Sequence, residues 1–74
     1  MKYCFDIDDT ICKGGVPYED ATPYPKVVNR INELYESGDH IIISTSRGYW
    51  SGKDWYSFTK NQLDDWGVKY HDLI

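Results

Sequence analysis

The sequence lacks two features that each mark a particular class of protein. It has no apolar run approaching the roughly 20 residues that a membrane-spanning helix needs. It has no stripe or cluster of basic side chains, since 8 Lys and Arg stand against 12 Asp and Glu, and the net charge is −4. The missing apolar run argues against a membrane protein, and the charge balance argues against binding to a nucleic acid, except at a phosphorylated end.

Cysteine is also scarce, and its scarcity excludes a disulfide framework. The two cysteines are Cys4 and Cys12, whereas small secreted domains are usually held together by several bridges. No signal peptide precedes the first predicted strand, which begins within a few residues of Met1. We therefore expect reduced thiols and a cytoplasmic protein.

The chain is rich in aromatic residues, which suits a small core. At 74 residues it is expected to form a single domain over 1–74, and a chain of this size buries only about 60% of its unfolded surface. Aromatic residues make up 16% of the sequence and hydrophobic residues 41%. Large aromatic side chains supply much apolar area per residue, which a short chain needs.

Alternating patterns of apolar residues predict an α/β fold. Apolar or β-branched runs predict strands, and a spacing of three to four residues predicts helices. The strands are predicted at 3–7, 41–43 and 68–74, and the helices at 24–37 and 55–66. The order β-α-β-α-β predicts a three-stranded, parallel, Rossmann-like sheet joined by two helices.

A dense acidic cluster follows the first predicted strand. It consists of Asp6, Asp8 and Asp9, with Thr10 directly after them. In open α/β sheets, ligands bind outside the carboxyl ends of the strands, where this cluster is expected. Carboxylates this close repel one another, so a cation usually neutralises them. Because aspartate is also common in turns, a plain acidic turn is the alternative.

A second polar cluster follows the second predicted strand. That strand, 41–43, leads into Ser44, Thr45, Ser46 and Arg47. The carboxyl ends of parallel strands meet at one edge of a sheet, so we expect both clusters there. Two roles stay open for Arg47: bidentate binding of a phosphate group, or anchoring of the loop that follows.

Taken together, the two clusters resemble motifs of the haloacid dehalogenase (HAD) superfamily. Residues 5–11, in the order apolar-Asp-x-Asp-x-Thr, resemble motif I, and residues 41–47 resemble motif II in its Thr-x-Arg form. The segment 55–71 is similar to small cap-less phosphatases of the capsule-biosynthesis type. The resemblance covers essentially the whole chain, but only the first half of the family's core.

The resemblance implies a hydrolase, a Mg²⁺-dependent phosphatase acting on a small phosphomonoester. Asp6 would be the nucleophile that forms an aspartyl phosphate, and Asp8 the general acid/base. Asp6 and Asp8 would also bind Mg²⁺, the first through its carboxylate and the second through its backbone carbonyl. Thr45, with Ser46 and Arg47, would bind the phosphate, aided by backbone N–H groups of the loop after Asp8.

Two other motifs of the family have no counterpart in this sequence. Motif III supplies a lysine and motif IV supplies further acidic ligands for Mg²⁺. Lys53, in the loop after motif II, is the candidate substitute for the missing lysine. Asp64 and Asp65 fall inside the second predicted helix, where we expect an exposed pair rather than metal ligands.

Because motifs III and IV have no counterpart, a function without catalysis stays open as the alternative to an enzyme. The chain is then a catalytically impaired HAD remnant that binds Mg²⁺ or phosphate, or an oligomerising module. In a truncated HAD-like sheet the first strand, 3–7, becomes an edge. Because an apolar edge strand invites pairing with another chain, we expect a homo-oligomer formed through it.

Four aromatic residues follow motif II, and two interpretations of them stay open. They are Tyr49, Trp50, Trp55 and Tyr56. Either they pack the second helix onto the sheet, or one or two of them line a substrate pocket and stack on a ring.

Overall fold

The computed structural model describes residues 1–48, 52 and 54–74. Its elements, in chain order, are β1 (Lys2–Asp6), α1 (Pro25–Glu36), β2 (His40–Ser44), α2 (Tyr56–Asp65) and β3 (Asp72–Leu73). The three strands form one parallel sheet in the order β1-β2-β3. This arrangement confirms the predicted three-stranded α/β fold. Neither α1 nor α2 has the length and apolarity needed to cross a membrane.

The two helices lie close to their predicted positions. Pro25 occupies the first turn of α1, where its fixed φ angle and missing N–H cost nothing. Gly38 follows the end of α1 with a φ of 93°, a conformation that glycine adopts without strain. At the start of α2, the carboxylate of Asp54 accepts the N–H of Tyr56 at 2.9 Å. Local sequence signals therefore set the helix boundaries.

The strands and loops differ more from expectation. β3 was expected over 68–74, but only Asp72–Leu73 pair with β2. The N–H of Val68 donates instead to the carbonyl of Leu63 in α2, at 3.0 Å. β1 ends at Asp6, one residue before its predicted end, since Ile7 begins a turn. A single turn of 3₁₀ helix, Tyr18–Asp20, lies in the loop between β1 and α1.

Both helices pack on the same face of the sheet. Ile41 and Ile43 of β2 are fully buried, and alternation along the strand directs both to one face. One apolar cluster contains these two side chains together with Val28, Ile31 and Leu34 of α1 and Leu63 of α2. The described part of the chain is thus a two-layer structure.

The opposite face of the sheet carries neither α1 nor α2. Cys4, Ile42 and Asp72 are register partners on this face, where Cys4 and Asp72 are exposed and Ile42 is half-buried. His40 of the same face lies with its Nε2 2.7 Å from an oxygen of Asp72. We call this surface the open face. It is more polar than the face beneath the helices.

The two cysteines test this layered arrangement. Cys4 is exposed on the open face, whereas Cys12 is fully buried, so a maleimide at neutral pH should modify Cys4 rapidly and Cys12 only after unfolding. Mass spectrometry of the native protein should then show one adduct, and denaturant should give two. The Cys4→Ser variant is the control, since it should show no rapid adduct. Rapid labelling of both thiols would contradict the fold.

Candidate functional site

The turn after β1 forms most of its hydrogen bonds within itself. The carbonyl of Ile7 accepts the N–H groups of Thr10, Ile11 and Cys12 at 3.1, 2.8 and 3.2 Å. The N–H of Asp9 donates to the carbonyl of Cys12 at 2.7 Å. Backbone N–H groups that we expected to hold a phosphate are therefore already bonded inside the turn.

Asp9 shapes this turn. Its backbone is in the left-handed region, with a φ of 66°, which aspartate tolerates better than most residues. One oxygen of its carboxylate accepts the N–H of Gly14 at 2.9 Å. A Cβ atom at Gly14 would lie 2.6 Å from that carboxylate, so the approach requires glycine. Asp9 thus has a structural role in the loop.

Asp6 and Thr45 stand at the same end of neighbouring strands. Asp6 ends β1, and its register partner is Ser44, which ends β2 and directly precedes Thr45. The Asp6 side chain is exposed, and one carboxylate oxygen accepts the N–H of Ile7 at 3.0 Å. The hydroxyl oxygen of Thr45 accepts the N–H of Arg47 at 3.0 Å. The hydroxyl hydrogen of Thr45 is thereby kept for an acceptor elsewhere, such as a phosphate oxygen.

The structure describes only some of the other residues that were predicted near the phosphate. Ser46 is exposed and follows Thr45 directly. Lys53, the candidate substitute lysine, lies outside the described residues, as do Tyr49 and Trp50.

Arg47 is buried and fully engaged by the protein. It is only 8% exposed. Its Nε and Nη2 donate to the two carboxylate oxygens of Asp8 at 3.2 and 3.0 Å. Its Nη1 donates to Gln62 at 2.6 Å and to the hydroxyl of Thr59 at 3.4 Å, and its guanidinium carbon lies 4.6 Å from the ring centre of Tyr18. We call these five residues the Arg47 cluster. Of the two roles left open for Arg47, its contacts are those of an anchor.

Asp8 and Cys12 complete the inner side of the turn. The thiol of Cys12 donates to a carboxylate oxygen of Asp8 at 3.5 Å. Burial, and after it the neighbouring Asp8 carboxylate, raise the pKa of the Cys12 thiol to about 11, while Arg47 opposes the rise. The thiol is therefore protonated at neutral pH and does not act as a nucleophile.

The predicted Mg²⁺ ligands fit an open metal site rather than a closed one. Among the described residues, His, Cys, Asp and Glu form no group of three or more that could hold an ion. The carboxylate of Asp8 is bound by Arg47, so the donors left for a metal ion are the backbone carbonyl of Asp8 and the exposed carboxylate of Asp6. Mg²⁺ commonly uses one or two carboxylates and completes its shell with waters and substrate oxygens. The donor set suits such an ion.

Sequence reasoning did not identify Gln62 and Tyr18 as members of the cluster. Gln62 also donates through Nε2 to the carbonyl of Tyr18 at 2.7 Å, which ties α2 to the 3₁₀ turn. Neither residue lies near Arg47 in sequence, and neither occupies a motif position. Thr59 did carry a signal, since a fully buried threonine on the apolar face of a helix needs a partner.

Comparisons with known proteins bear on the fold. A scan against models of protein families finds no match, and a search of curated proteins finds none. A search of solved structures finds that the chain is similar to a crystal structure of a target protein from Vibrio cholerae, with a TM-score of 0.84 and 23% identity. The match covers 99% of this chain and 67% of that chain. At this identity the likeness confirms the α/β fold and assigns no activity.

The ion pair in the Arg47 cluster should contribute strongly to stability. Arg47→Met removes the guanidinium donors of the cluster and leaves the carboxylate of Asp8, which is 30% exposed, without its counter-charge. We expect the free energy of unfolding to fall by about 2–4 kcal/mol, measured by urea denaturation.

A matched control is available on α1. Arg30 forms an exposed pair with Glu33 at 3.5 Å, so Arg30→Met should change stability by no more than about 0.5 kcal/mol. Equal effects of the two substitutions would contradict the anchoring role of Arg47.

The raised pKa of Cys12 predicts a loss of stability at alkaline pH. A thiol that holds its proton more tightly in the folded state stabilises the fold fully below its unfolded pKa of 9.0. That contribution declines as pH rises from 9.0 through about 11. Urea unfolding across this range should show a shallower decline for Cys12→Ala than for the wild-type protein. An unchanged slope in Cys12→Ala would refute the assignment.

Proposed function

We propose that this chain belongs to the HAD superfamily and is a Mg²⁺-dependent phosphatase that hydrolyses a small phosphomonoester. The register of Asp6 with Ser44 carries the proposal, because it brings the exposed carboxylate of Asp6 and the hydroxyl of Thr45 to one edge of the sheet. Ligands of open α/β sheets bind at that edge. The order of the two motifs supports the same assignment.

The first step transfers the phosphoryl group to the protein. A carboxylate oxygen of Asp6 attacks phosphorus and the bond from phosphorus to the ester oxygen breaks. Asp8, which must carry a proton at the start of this step, gives that proton to the departing oxygen. The hydroxyl of Thr45 donates to a phosphate oxygen. A bound Mg²⁺ would screen the repulsion between the attacking carboxylate and the phosphate.

The second step restores the protein. Water attacks the phosphorus of the aspartyl phosphate, and its proton goes to Asp8. The bond from phosphorus to the Asp6 oxygen breaks, which releases inorganic phosphate and regenerates the carboxylate. Arg47 orients Asp8 for both steps through their bidentate pair, and one Asp8 oxygen must leave that pair to carry the proton.

That pair also favours a second candidate function. If Asp8 stays bound to Arg47 throughout, the chain binds Mg²⁺ and phosphate at Asp6 and Thr45 without turnover.

We further propose that the protein is cytoplasmic and assembles as a homo-oligomer through β1. Within the described residues, β1 pairs with β2 on one side and with no strand on the other, which supports assembly through that edge.

A pair of substitutions in one turn tests the phosphatase. Asp6→Asn removes the nucleophile, so hydrolysis of a broad panel of phosphomonoesters with Mg²⁺ should fall by about a thousandfold or more. Asp9→Asn is the matched control, because it removes one charge while an amide oxygen can still accept the N–H of Gly14. Its activity should stay close to that of the wild-type protein.

Thermal denaturation separates the two candidate functions. Mg²⁺ and phosphate should raise the melting temperature under either one, since any ligand of the folded state stabilises it. Absence of turnover in the wild-type protein, with this rise retained, would favour binding alone. If the wild-type protein shows neither turnover nor a rise in melting temperature, the candidate site at Asp6 and Thr45 is refuted.

A further inference from the structure

A cavity of about 370 Å³ opens beside Thr45. Its walls come from residues 45–48 after β2, from residues 54–56 at the start of α2, and from Ile74. This volume is within the usual range for small-molecule pockets. Because Thr45 belongs both to the candidate phosphate site and to the cavity wall, a phosphate bound at Thr45 would border the cavity.

Large apolar groups dominate the cavity, and one of them is held firmly. Trp55 packs edge-to-face against Tyr18 and Phe58, with ring centres 4.8 and 5.3 Å apart. Tyr56 is 51% exposed and Ile74 is 68% exposed, although both are large and hydrophobic. Apolar side chains left exposed in a concavity commonly mark a ligand site. Trp55 therefore fits the interpretation that it packs α2, whereas Tyr56 fits the interpretation that it lines a pocket.

The charged groups in the cavity wall limit which leaving groups the cavity can bind. Asp54 contributes an exposed carboxylate. Arg47 contributes to the wall, but its guanidinium is bound within the Arg47 cluster, so the described wall offers no cation to a second anionic group. The carboxylate of Asp54 would repel an anionic leaving group. An uncharged ring would cover the side chains of Tyr56 and Ile74.

We infer that this cavity binds the leaving group of the substrate, and that this group is a flat, uncharged aromatic ring joined by a short linker to a phosphomonoester. The inference rests on the proposed function, because that function sets the phosphate at Thr45. Tyr56 is the residue that determines specificity, through stacking or edge-on contact with the ring.

Binding of unreactive analogues tests the inference without turnover. Benzylphosphonate and cyclohexylmethylphosphonate share a charge and a similar size, but only the first has a flat aromatic ring. By isothermal titration calorimetry with Mg²⁺, the wild-type protein should bind benzylphosphonate about three- to tenfold more tightly. Tyr56→Leu should reduce this preference to about onefold, whereas Tyr24→Leu, which changes an exposed tyrosine outside the cavity, should retain it.

A second measurement locates the ring and identifies its source. Benzylphosphonate should shift the backbone NMR signals of Tyr56 and Ile74 in the wild-type protein, so the test does not depend on how a variant folds. In Asp6→Asn, adenosine 5′-monophosphate should bind more tightly than ribose 5-phosphate if the ring is a nucleobase. A benzyl preference without this nucleoside preference would assign a simple aryl group instead.

The outcomes separate the inference from the function on which it rests. Equal binding of the two phosphonates by the wild-type protein would overturn the aromatic leaving group, even if phosphomonoesters are hydrolysed. A ring preference that depends on Tyr56, with no turnover of any ester, would support the cavity assignment and refute the phosphatase.

Discussion

The buried guanidinium of Arg47 is the constraint on which the rest of the site depends. A charge removed from water must be matched by a counter-charge and by hydrogen-bond acceptors, or the fold is destabilised. Asp8, Gln62 and Thr59 supply these partners, and the ring of Tyr18 covers the group. These partners come from the turn after β1, from α2 and from the 3₁₀ turn. The side chain of Arg47, which follows β2, thus fixes these three segments relative to the carboxyl ends of the strands.

The same constraint gives the two principal carboxylates different properties. Asp8 is partly buried and bound through both oxygens, so its position is defined before any ligand arrives. Asp6 is exposed, and its carboxylate accepts one backbone N–H, so it remains accessible to a cation or to a phosphorus atom. Two similar side chains separated by one residue are thereby suited to different tasks. This division depends on Arg47 and not on the acidic motif alone.

The sequence predicted the features that local patterns encode. Hydrophobic spacing and the glycines at helix ends gave the order of elements, and the ends of two parallel strands brought Asp6 and Thr45 to one edge. The pair between Arg47 and Asp8 joins residues 39 apart in sequence, so no local pattern announces it. The shortness of β3 also escaped prediction, because the mixed apolar and polar residues of 68–74 fit a strand and a connecting segment equally well. Tertiary packing decided between them.

The proposed interface between chains and the candidate nucleophile Asp6 both involve the end of β1. Alternation along this strand places Lys2, Cys4 and Asp6 on the open face, while α1 and α2 cover the other face. In the part of the chain that the structure describes, the side of β1 opposite β2 pairs with no strand, and Lys2, Cys4 and Asp6 lie along it. A second chain pairing there would lie beside Asp6, so it would alter the solvation of that carboxylate and bring its own charged side chains nearby. Oligomeric state and turnover therefore have to be measured on the same sample, since a change in one changes the surroundings that decide the other.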